Sequence, residues 1–377
     1  MLSENCLAFI EQHENDLLQL IETLCGICAP SNQEHQRTVF VEQWLKKQGC
    51  EHVKVDEAGN VLYFYQCKEH ERWMLGVAHM DTVFPDLEPM PFSIEGNLMK
   101  CPGVGDDTAN LAVLMMCAKY LAEYKPAMKQ GLLLAADTGE EGLGNLKGCK
   151  QILKDYGNRI DQVLALDGTY EEAVNKAVGS LRYKVKVKTE GGHSYGCFGN
   201  RNAIHQLASL INVLYAYKVP TTSKTTYNVS SISGGTSINT IAQSAEMLFE
   251  IRSDCQADMA ACDEYFHCAV KTLAANGAEI EVQLLGERPC MGDVDKEKQQ
   301  ALEVWAKTLI QSYTNKEINF QSGSTDCNIP FSMGIPSICF GAYLGDGAHT
   351  REEAIEIDSL KIGFKLGMEA LLKEIKQ

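Results

Sequence analysis

Two histidines and several carboxylates in this sequence have the residue types and spacing of metal ligands in hydrolytic sites. His79 is followed two residues later by Asp81, and two acidic pairs lie further along, at 106–107 and 140–141. A histidine can bind zinc through one ring nitrogen while a nearby carboxylate orients the ring through the other. Adjacent glutamates point in different directions, so one can coordinate a cation while its neighbour acts as a general base. The chemistry that these residues suggest is metal-assisted hydrolysis.

Two further candidate ligands occur later in the chain. Asp167 closes the apolar run 163–166, where a carboxylate would be costly to bury without a cation or hydrogen-bond donors. His349 lies in a glycine-containing stretch, 345–352, whose backbone can approach a ligand. Histidine combined with Asp and Glu suits zinc. Each residue taken alone has an ordinary structural explanation, such as a helix-capping Asp.

The candidate ligands follow apolar segments of strand length, and these segments alternate with helical patterns. Such runs are typical of buried parallel strands, and in open α/β sheets ligands bind at the carboxyl ends of the strands. The predicted strands are 73–78, 132–136, 163–166 and 337–340, and the predicted helices are 109–120 and 361–375. We therefore predict an α/β fold in which a sheet domain has helices on both faces.

The middle of the chain has a different pattern. Residues 181–188 alternate apolar and basic side chains, which is typical of a strand with one wet face. After it we predict a helix at 202–217, strands at 227–233 and 245–251, a helix at 257–275 and a strand at 279–285. The order βαββαβ predicts a ferredoxin-like α+β unit. We expect a sheet domain of residues 1–177 and 292–377 with an inserted domain of residues 178–291.

Composition excludes several classes of partner. The chain has 377 residues, 45% of them hydrophobic and 22% charged, as expected of a folded protein. Lys and Arg total 34 against 50 Asp and Glu, and the net charge of −16 disfavours nucleic acid and anionic membranes. Acidic residues near the start argue against a signal peptide. The 15 cysteines are scattered through apolar segments and are expected to be buried free thiols of a cytoplasmic protein.

The whole series of candidate residues resembles the di-zinc exopeptidase superfamily of peptidase T, glutamate carboxypeptidase and acetylornithine deacetylase, peptidase family M20. The resemblance spans nearly the whole chain, including the inserted domain, which in that family is a lid often used for dimerisation. It implies two Zn²⁺ ions, with Co²⁺ or Mn²⁺ as possible substitutes. The implied ligands are His79 and Asp167 for one ion, Glu141 and His349 for the other, and Asp106 as the bridge.

The resemblance also assigns residues that do not bind metal. Glu140 would be the general base, and Asp81 would be the partner that orients His79. The peptide bond between Asp106 and Asp107 is expected to be cis, as in the relatives that this chain resembles.

Three residues of the inserted domain resemble the substrate-contacting residues of the family's lid. His193, in Gly-Gly-His-Ser, would stabilise the oxyanion, and Asn239 and Arg252 would hold the substrate. An arginine fork can bind a carboxylate bidentately. Without the resemblance, a salt bridge at a strand edge is the more ordinary explanation for Arg252. We predict a homodimer formed through the lid, with His193 reaching the neighbouring subunit's site.

The predicted activity is zinc-dependent hydrolysis of amide bonds in small peptides or N-acyl amino acids that bear a free carboxylate. An exopeptidase and an N-acyl amino acid deacylase remain alternatives within this class. A serine hydrolase is disfavoured, because the G-x-S-x-G stretch at 192–196 follows a charged alternating strand rather than a buried one. A non-catalytic peptide-binding relative would be expected to have lost a ligand or Glu140, and all of them are present.

Overall fold

The structure is a computed structural model that describes residues 2–275 and 277–376. Met1, Asn276 and Gln377, which fall within the domains expected from the sequence, lie outside the described residues. The chain divides into two compact units, which we call the sheet unit and the inserted unit. The sheet unit comprises Met1–Ala177 and Gly292–Gln377, and the inserted unit comprises Val178–Met291.

The described residues form strands and α-helices that alternate along most of the chain. In chain order the strands are β1 (Val53–Val55), β2 (Val61–Tyr65), β3 (Trp73–His79), β4 (Ser93–Glu95), β5 (Leu98–Lys100), β6 (Gly131–Asp137), β7 (Ile160–Ala165), β8 (Glu172–Ala177), β9 (Gly179–Lys188), β10 (Gly192–His193), β11 (Thr225–Gly234), β12 (Thr240–Ile241), β13 (Ser244–Ser253), β14 (Glu279–Arg288), β15 (Asn319–Gly323), β16 (Ser337–Cys339), β17 (Gly345–Asp346) and β18 (Ala354–Glu356). The helices are α1 (Glu4–Gln12), α2 (Glu14–Cys25), α3 (His35–Lys47), α4 (Asn110–Tyr124), α5 (Lys147–Tyr156), α6 (Ala203–Leu214), α7 (Gln256–Ala275), α8 (Lys296–Thr314), α9 (Asn328–Ser332) and α10 (Ser359–Leu371).

The sheet unit is built on a mixed eight-stranded sheet. Its strand order is β1-β2-β6-β3-β7-β16-β8-β15. The four apolar runs singled out in the sequence form neighbouring strands, in which β3 is parallel to both β6 and β7, and β16 is parallel to β7. Every residue of β3 and β6 is buried, so both faces of the central strands are covered. The predicted α/β fold is confirmed, and the carboxyl ends of these strands meet at one edge.

Helix α10 packs directly on the chain that leads to His349. A Cβ atom at Gly363 would lie 1.5 Å from the main-chain oxygen of Ala342, so only glycine permits this approach. Further along the same helix, a Cβ atom at Gly367 would lie 2.5 Å from Val113 in α4. The two helices therefore hold the segments on which they pack in fixed positions beside the sheet.

The inserted unit has the predicted ferredoxin-like order. Its sheet runs β11-β13-β9-β14 with every pair antiparallel, and the chain order is β9, α6, β11, β13, α7, β14. Along β9, the apolar side chains are buried and the basic side chains between them are partly exposed. Both α6 and α7 contact β9 and β13. The predicted α+β fold of this segment is confirmed.

The predicted state of the cysteines also agrees with the structure. All fifteen are free thiols, and most of them are buried. Among the residues that the structure describes, no helix has the length and apolar character needed to cross a membrane.

Candidate active site

His79 is the last residue of the fully buried strand β3. Its Nδ1 lies 3.0 Å from the main-chain oxygen of Asp81, and because a carbonyl oxygen only accepts hydrogen bonds, Nδ1 donates to it. Its Nε2 lies 3.0 Å from Oδ1 of Asp106. Burial lowers the pKa of His79, but the charge of Asp107 and the contacts with Asp106 and Asp81 outweigh burial and raise the pKa well above its ordinary value. The surroundings of Nε2 thus favour a positive charge.

The Asp81 carboxylate organises the loop that follows β6. Its Oδ1 accepts a hydrogen bond from the Glu140 amide at 3.0 Å, and its Oδ2 accepts from the Glu141 amide at 3.0 Å and the Ser31 hydroxyl at 2.6 Å. Burial opposes ionisation of Asp81, but hydrogen bonds from His79, Ser31 and the Glu141 amide lower its pKa. Asp81 Oδ1 lies 3.5 Å from Nδ1 of His79. This side chain therefore contacts His79, as expected, and also orients both glutamates, which the sequence did not indicate.

The two aspartates at 106 and 107 make different contacts. Asp106 faces one imidazole with each oxygen, Oδ1 at 3.0 Å from Nε2 of His79 and Oδ2 at 3.0 Å from Nε2 of His349. Asp107 instead accepts hydrogen bonds from the His79 amide at 3.0 Å and from the Asn110 side chain at 2.7 Å. The peptide bond between the two aspartates is cis, which confirms that expectation. Asp106 joins the two histidines, and Asp107 fixes the main chain around them.

The pKa values of the two aspartates also diverge. Burial opposes ionisation of Asp106, but hydrogen bonds from His349 and His79 hold its pKa far below the ordinary value. Burial raises the pKa of Asp107 well above its ordinary value, and the nearby charge of Asp167 adds to that effect. The ionised form is thus stabilised at the aspartate that lies between the histidines.

Glu140 and Glu141 follow β6 and are both buried. Ligand atoms of His79, Glu140 and Glu141 lie within 4.8 Å of one another. Glu141 alone of the two also lies close to His349, with Oε1 3.0 Å from Nε2. The two adjacent carboxylates therefore share one end of the site but differ at the other, as the chemistry proposed for such a pair requires.

Asp167 lies just beyond β7, where it was expected. One of its oxygens lies within 4.8 Å of ligand atoms of His79 and Asp107. Burial raises the pKa of Asp167 to about 7, and the negative charge of Asp106 acts in the same direction. A carboxyl group among other buried acids is stabilised in its ionised form when a cation lies between them.

His349 reaches the same cluster from a loop. Its backbone is left-handed, with a φ of 65°, and its side chain is 57% exposed. The hydrogen bonds to Asp106 and then to Glu141 raise its pKa to about 11. Like His79, it thus has acidic groups around Nε2 that favour a positive charge.

The residues present fit a pair of metal ions. Three groups of ligand-type side chains have atoms within 4.8 Å of one another, and they share members. Their atoms are imidazole nitrogens and carboxylate oxygens, a set that zinc accepts. The groups are His79 with Glu140 and Glu141, His79 with Asp107 and Asp167, and Asp106 with Glu141 and His349. All five predicted ligands are therefore brought together by the fold.

Sequence reasoning missed three residues that support this cluster. Ser31 donates to Asp81 and, at 3.1 Å, to the main-chain oxygen of Glu141. Asn110 contacts Asp107 and donates to the main-chain oxygen of Gly168 at 3.1 Å. Glu353, four residues after His349, accepts three main-chain hydrogen bonds from the segment that carries Asp106. None of the three belongs to a periodic pattern or a close pair of ligand types that would have marked it.

In the inserted unit, His193 and Asn239 lie on joined segments. β10 and β12 pair through Gly192–Ile241 and His193–Thr240, and the Ser194 amide donates to the main-chain oxygen of Asn239 at 2.9 Å. His193 Nδ1 accepts from the amides of Tyr195 and Gly196 at 3.3 and 3.2 Å, so its proton lies on Nε2. His193 is exposed. It therefore presents a hydrogen-bond donor to its surroundings.

Arg252 lies on β13 and forms an ion pair with Glu250, with Nε 3.0 Å from Oε2. The same Glu250 also binds Arg182, with Nε 2.9 Å from Oε1. The salt bridge considered as the ordinary explanation for Arg252 is thus present. The Arg252 side chain is nevertheless 41% exposed.

The G-x-S-x-G stretch lacks the geometry of a serine nucleophile. The strand before Ser194, β10, has two residues, and the next helix begins only at Ala203. Ser194 itself is exposed on a turn. A serine hydrolase needs its nucleophile on a sharp turn between a buried strand and an immediate helix, so this alternative finds no support.

Comparison with known proteins identifies the family. The model of Peptidase family M20/M25/M40 matches residues 76–373. Succinyl-diaminopimelate desuccinylase of Corynebacterium glutamicum is 26% identical over 358 residues, covering 92% of this chain and 93% of that protein. The crystal structure of aminopeptidase PepT from Bacillus cereus matches with a TM-score of 0.73 and 21% identity, covering 96% of this chain and 99% of that one.

A further solved structure, a dinuclear metal binding peptidase of the M20 family from Bacillus subtilis, matches with a TM-score of 0.66 and 16% identity, covering 97% of this chain and 99% of that one. The family match extends over most of the chain and includes every residue of the cluster described above. The chain therefore belongs to peptidase family M20/M25/M40 and is a metal-dependent hydrolase of amide bonds.

Proposed function

We propose that this hydrolase uses two zinc ions to cleave small peptides or N-acyl amino acids that bear a free carboxylate. The observation that carries the proposal is the position of Asp106, whose two oxygens each lie 3.0 Å from Nε2 of a different histidine, His79 and His349. A carboxylate between two such nitrogens is suited to bridging two cations. The donor set suits Zn²⁺, and Co²⁺ or Mn²⁺ are possible substitutes.

The ligands of the two ions divide according to the contacts of each side chain. Asp107 is left out because both of its oxygens accept hydrogen bonds, from the His79 amide and from Asn110. When bound, two zinc ions lower the pKa of a water molecule and polarise the substrate carbonyl. We assign His79 and Asp167 to one ion, Glu141 and His349 to the other, and Asp106 to both.

Glu140 acts as the general base in this proposal. Its amide is held by Asp81, and its carboxylate lies within ligand distance of His79 and Glu141, so it borders the space between the ions. Glu140 accepts a proton from the attacking water and delivers it to the leaving nitrogen. Groups in this role typically accelerate reactions by about 10²–10⁴-fold.

The inserted unit supplies the substrate contacts. His193 carries its proton on Nε2 and can donate to the oxyanion, and Asn239 lies on the segment paired with it. Arg252 would grip the substrate carboxylate, exchanging part of its contact with Glu250 for the ligand. Both small peptides and N-acyl amino acids present such a carboxylate. The relatives include both an aminopeptidase and a desuccinylase, which supports keeping the two substrate classes together.

We further propose that the protein is a cytoplasmic homodimer formed through the inserted unit, with His193 acting in the neighbouring subunit's site. β11 is a ten-residue strand at the edge of its sheet, and most of its residues are exposed. Such an edge can pair with a second copy of itself. Fifteen free thiols suit a reducing compartment.

Metal-free protein tests the proposed activity. Hydrolysis of di- and tripeptides, γ-glutamyl conjugates and N-acyl amino acids is measured after phenanthroline treatment and again with zinc added in steps. We expect no turnover without metal and maximal turnover at two ions per chain. Ser194→Ala, the matched control for a serine mechanism, should keep full activity. Full activity without metal, or its loss in Ser194→Ala, would contradict the proposal.

A further inference from the structure

Glu353 is a buried carboxylate to which the proposed chemistry gives no role. It lies four residues after His349 and directly before β18, and it is 2% exposed. Its Oε2 accepts a hydrogen bond from the Gly103 amide at 2.5 Å, and its Oε1 accepts from the amides of Gly105 and Asp106 at 2.9 and 2.8 Å. Both oxygens are thus directed at the main chain that carries Asp106.

The main chain of Glu353 is tied to the same region. Its carbonyl oxygen accepts from the Cys101 amide at 3.2 Å, and the next residue, Ala354, pairs with Lys100 in the contact between β18 and β5. One short segment therefore connects the loop of His349 with the segment of Asp106. These two segments lie about 250 residues apart in sequence, and Glu353 joins them through both its main chain and its side chain.

We propose that Glu353 is a positioning residue that sets the direction of the bridging carboxylate. By accepting three amide hydrogens, it fixes the turn from Gly103 to Asp106, and with it the two Asp106 oxygens toward the histidines. Removing one acceptor would leave a buried amide without a partner, so the turn would shift to recover a hydrogen bond. This inference rests on the proposed role of Asp106 as the bridge.

The proposal has a signature that a merely stabilising residue lacks. Asp106 belongs to both ligand sets, whereas each of the other ligands belongs to one. A displaced Asp106 therefore weakens both metal sites together. Loss of a residue that supports a ligand through hydrogen bonds typically costs about 10–100-fold in metal affinity.

The test compares Glu353→Gln with Glu352→Gln. Glutamine keeps the size of the side chain, but its NH₂ group cannot accept the Gly103 hydrogen bond. Glu352 is the exposed neighbour, so the same substitution there is a matched control. Metal-free proteins are titrated with Co²⁺ and followed by calorimetry and visible absorption. We expect Glu353→Gln to lose about 10–100-fold in affinity at both sites, with an altered Co²⁺ absorption band, and Glu352→Gln to match the wild type.

Circular dichroism and thermal unfolding of the metal-free proteins show whether each variant is folded. Glu353→Asp retains two acceptor oxygens and should recover part of the affinity, and it replaces Glu353→Gln in the comparison if the latter does not fold. Wild-type affinity and spectrum in Glu353→Gln, or weakening of one site only, would overturn this inference and leave the proposed function standing. If the wild type binds no metal, the proposed function fails and this inference fails with it.

Discussion

Replacing Asp81 with asparagine changes one atom of the site and removes a hydrogen-bond acceptor from the loop that carries both glutamates. The carboxylate accepts from the amides of Glu140 and Glu141 through different oxygens, and Ser31 donates to the second oxygen. Asparagine has one acceptor oxygen and one NH₂ group. In either orientation of the side-chain amide, one buried main-chain N–H of the loop therefore faces another donor.

The size of the effect follows from that count. A buried donor left without a partner costs about 1–3 kcal/mol. If the loop shifts to relieve the mismatch, the cost is transferred to the reacting geometry, where each 1.36 kcal/mol corresponds to roughly tenfold in rate. We therefore expect the kcat of Asp81→Asn to fall by about 5- to 150-fold with metal at saturation. The free energy of unfolding should fall by no more than about 3 kcal/mol.

The assay is steady-state kinetics at saturating zinc, together with hydrogen exchange of residues 138–144. Exchange at the Glu140 and Glu141 amides should accelerate in Asp81→Asn. Asp293→Asn, the same substitution at an exposed position, is the control for the chemical change itself.

A double-mutant cycle with Ser31→Ala extends the test. Because both residues belong to one hydrogen-bond network, their effects should not add. A kcat within twofold of the wild type, with unchanged exchange at both glutamates, would refute the role assigned to Asp81.

Three further predictions concern the base, the lid and the ion pairs of the inserted unit. Glu140→Gln should keep both metals while kcat falls by about 10²–10⁴-fold, whereas Glu141→Gln should lose metal; metal analysis beside kinetics would expose an exchange of these roles. Mixing inactive His193→Ala with inactive Glu140→Gln should restore part of the activity, since one site of each heterodimer is complete; exchange of subunits without recovered turnover would contradict this. Burial opposes ionisation of Glu250, but hydrogen bonds from Arg252 and Arg182 lower its pKa below the ordinary 4.5. Its stabilisation should therefore be complete above pH 4.5 and be lost as pH falls through the lowered pKa, so Glu250→Gln should be less stable than the wild type by about 1 kcal/mol at pH 7 and equally stable in acid; a gap that persists in acid would argue for packing instead.

Local patterns were sufficient to predict both folds. The apolar runs that become β3 and β6 are buried at every position, and the alternation along β9 places its apolar side chains in the core. These signals are legible because burial leaves a period in the chain itself. The clustering of ligand types could be anticipated for a related reason, since parallel strands bring their carboxyl ends to a common edge.

The sequence by itself thus determined which segments form the sheet and which residue types reach its edge, because hydrophobic periodicity is a property of neighbouring residues. Only the tertiary structure decided how those residues are held. Glu353 and the Gly103 amide are 250 positions apart, and Ser31 and Asp81 are 50 apart. It also separated Asp106, which faces two imidazoles, from its neighbour Asp107, which accepts main-chain and amide donors. Hydrogen bonds between distant polar groups have no period along the chain, so their partners are defined only when the packed core brings the loops together.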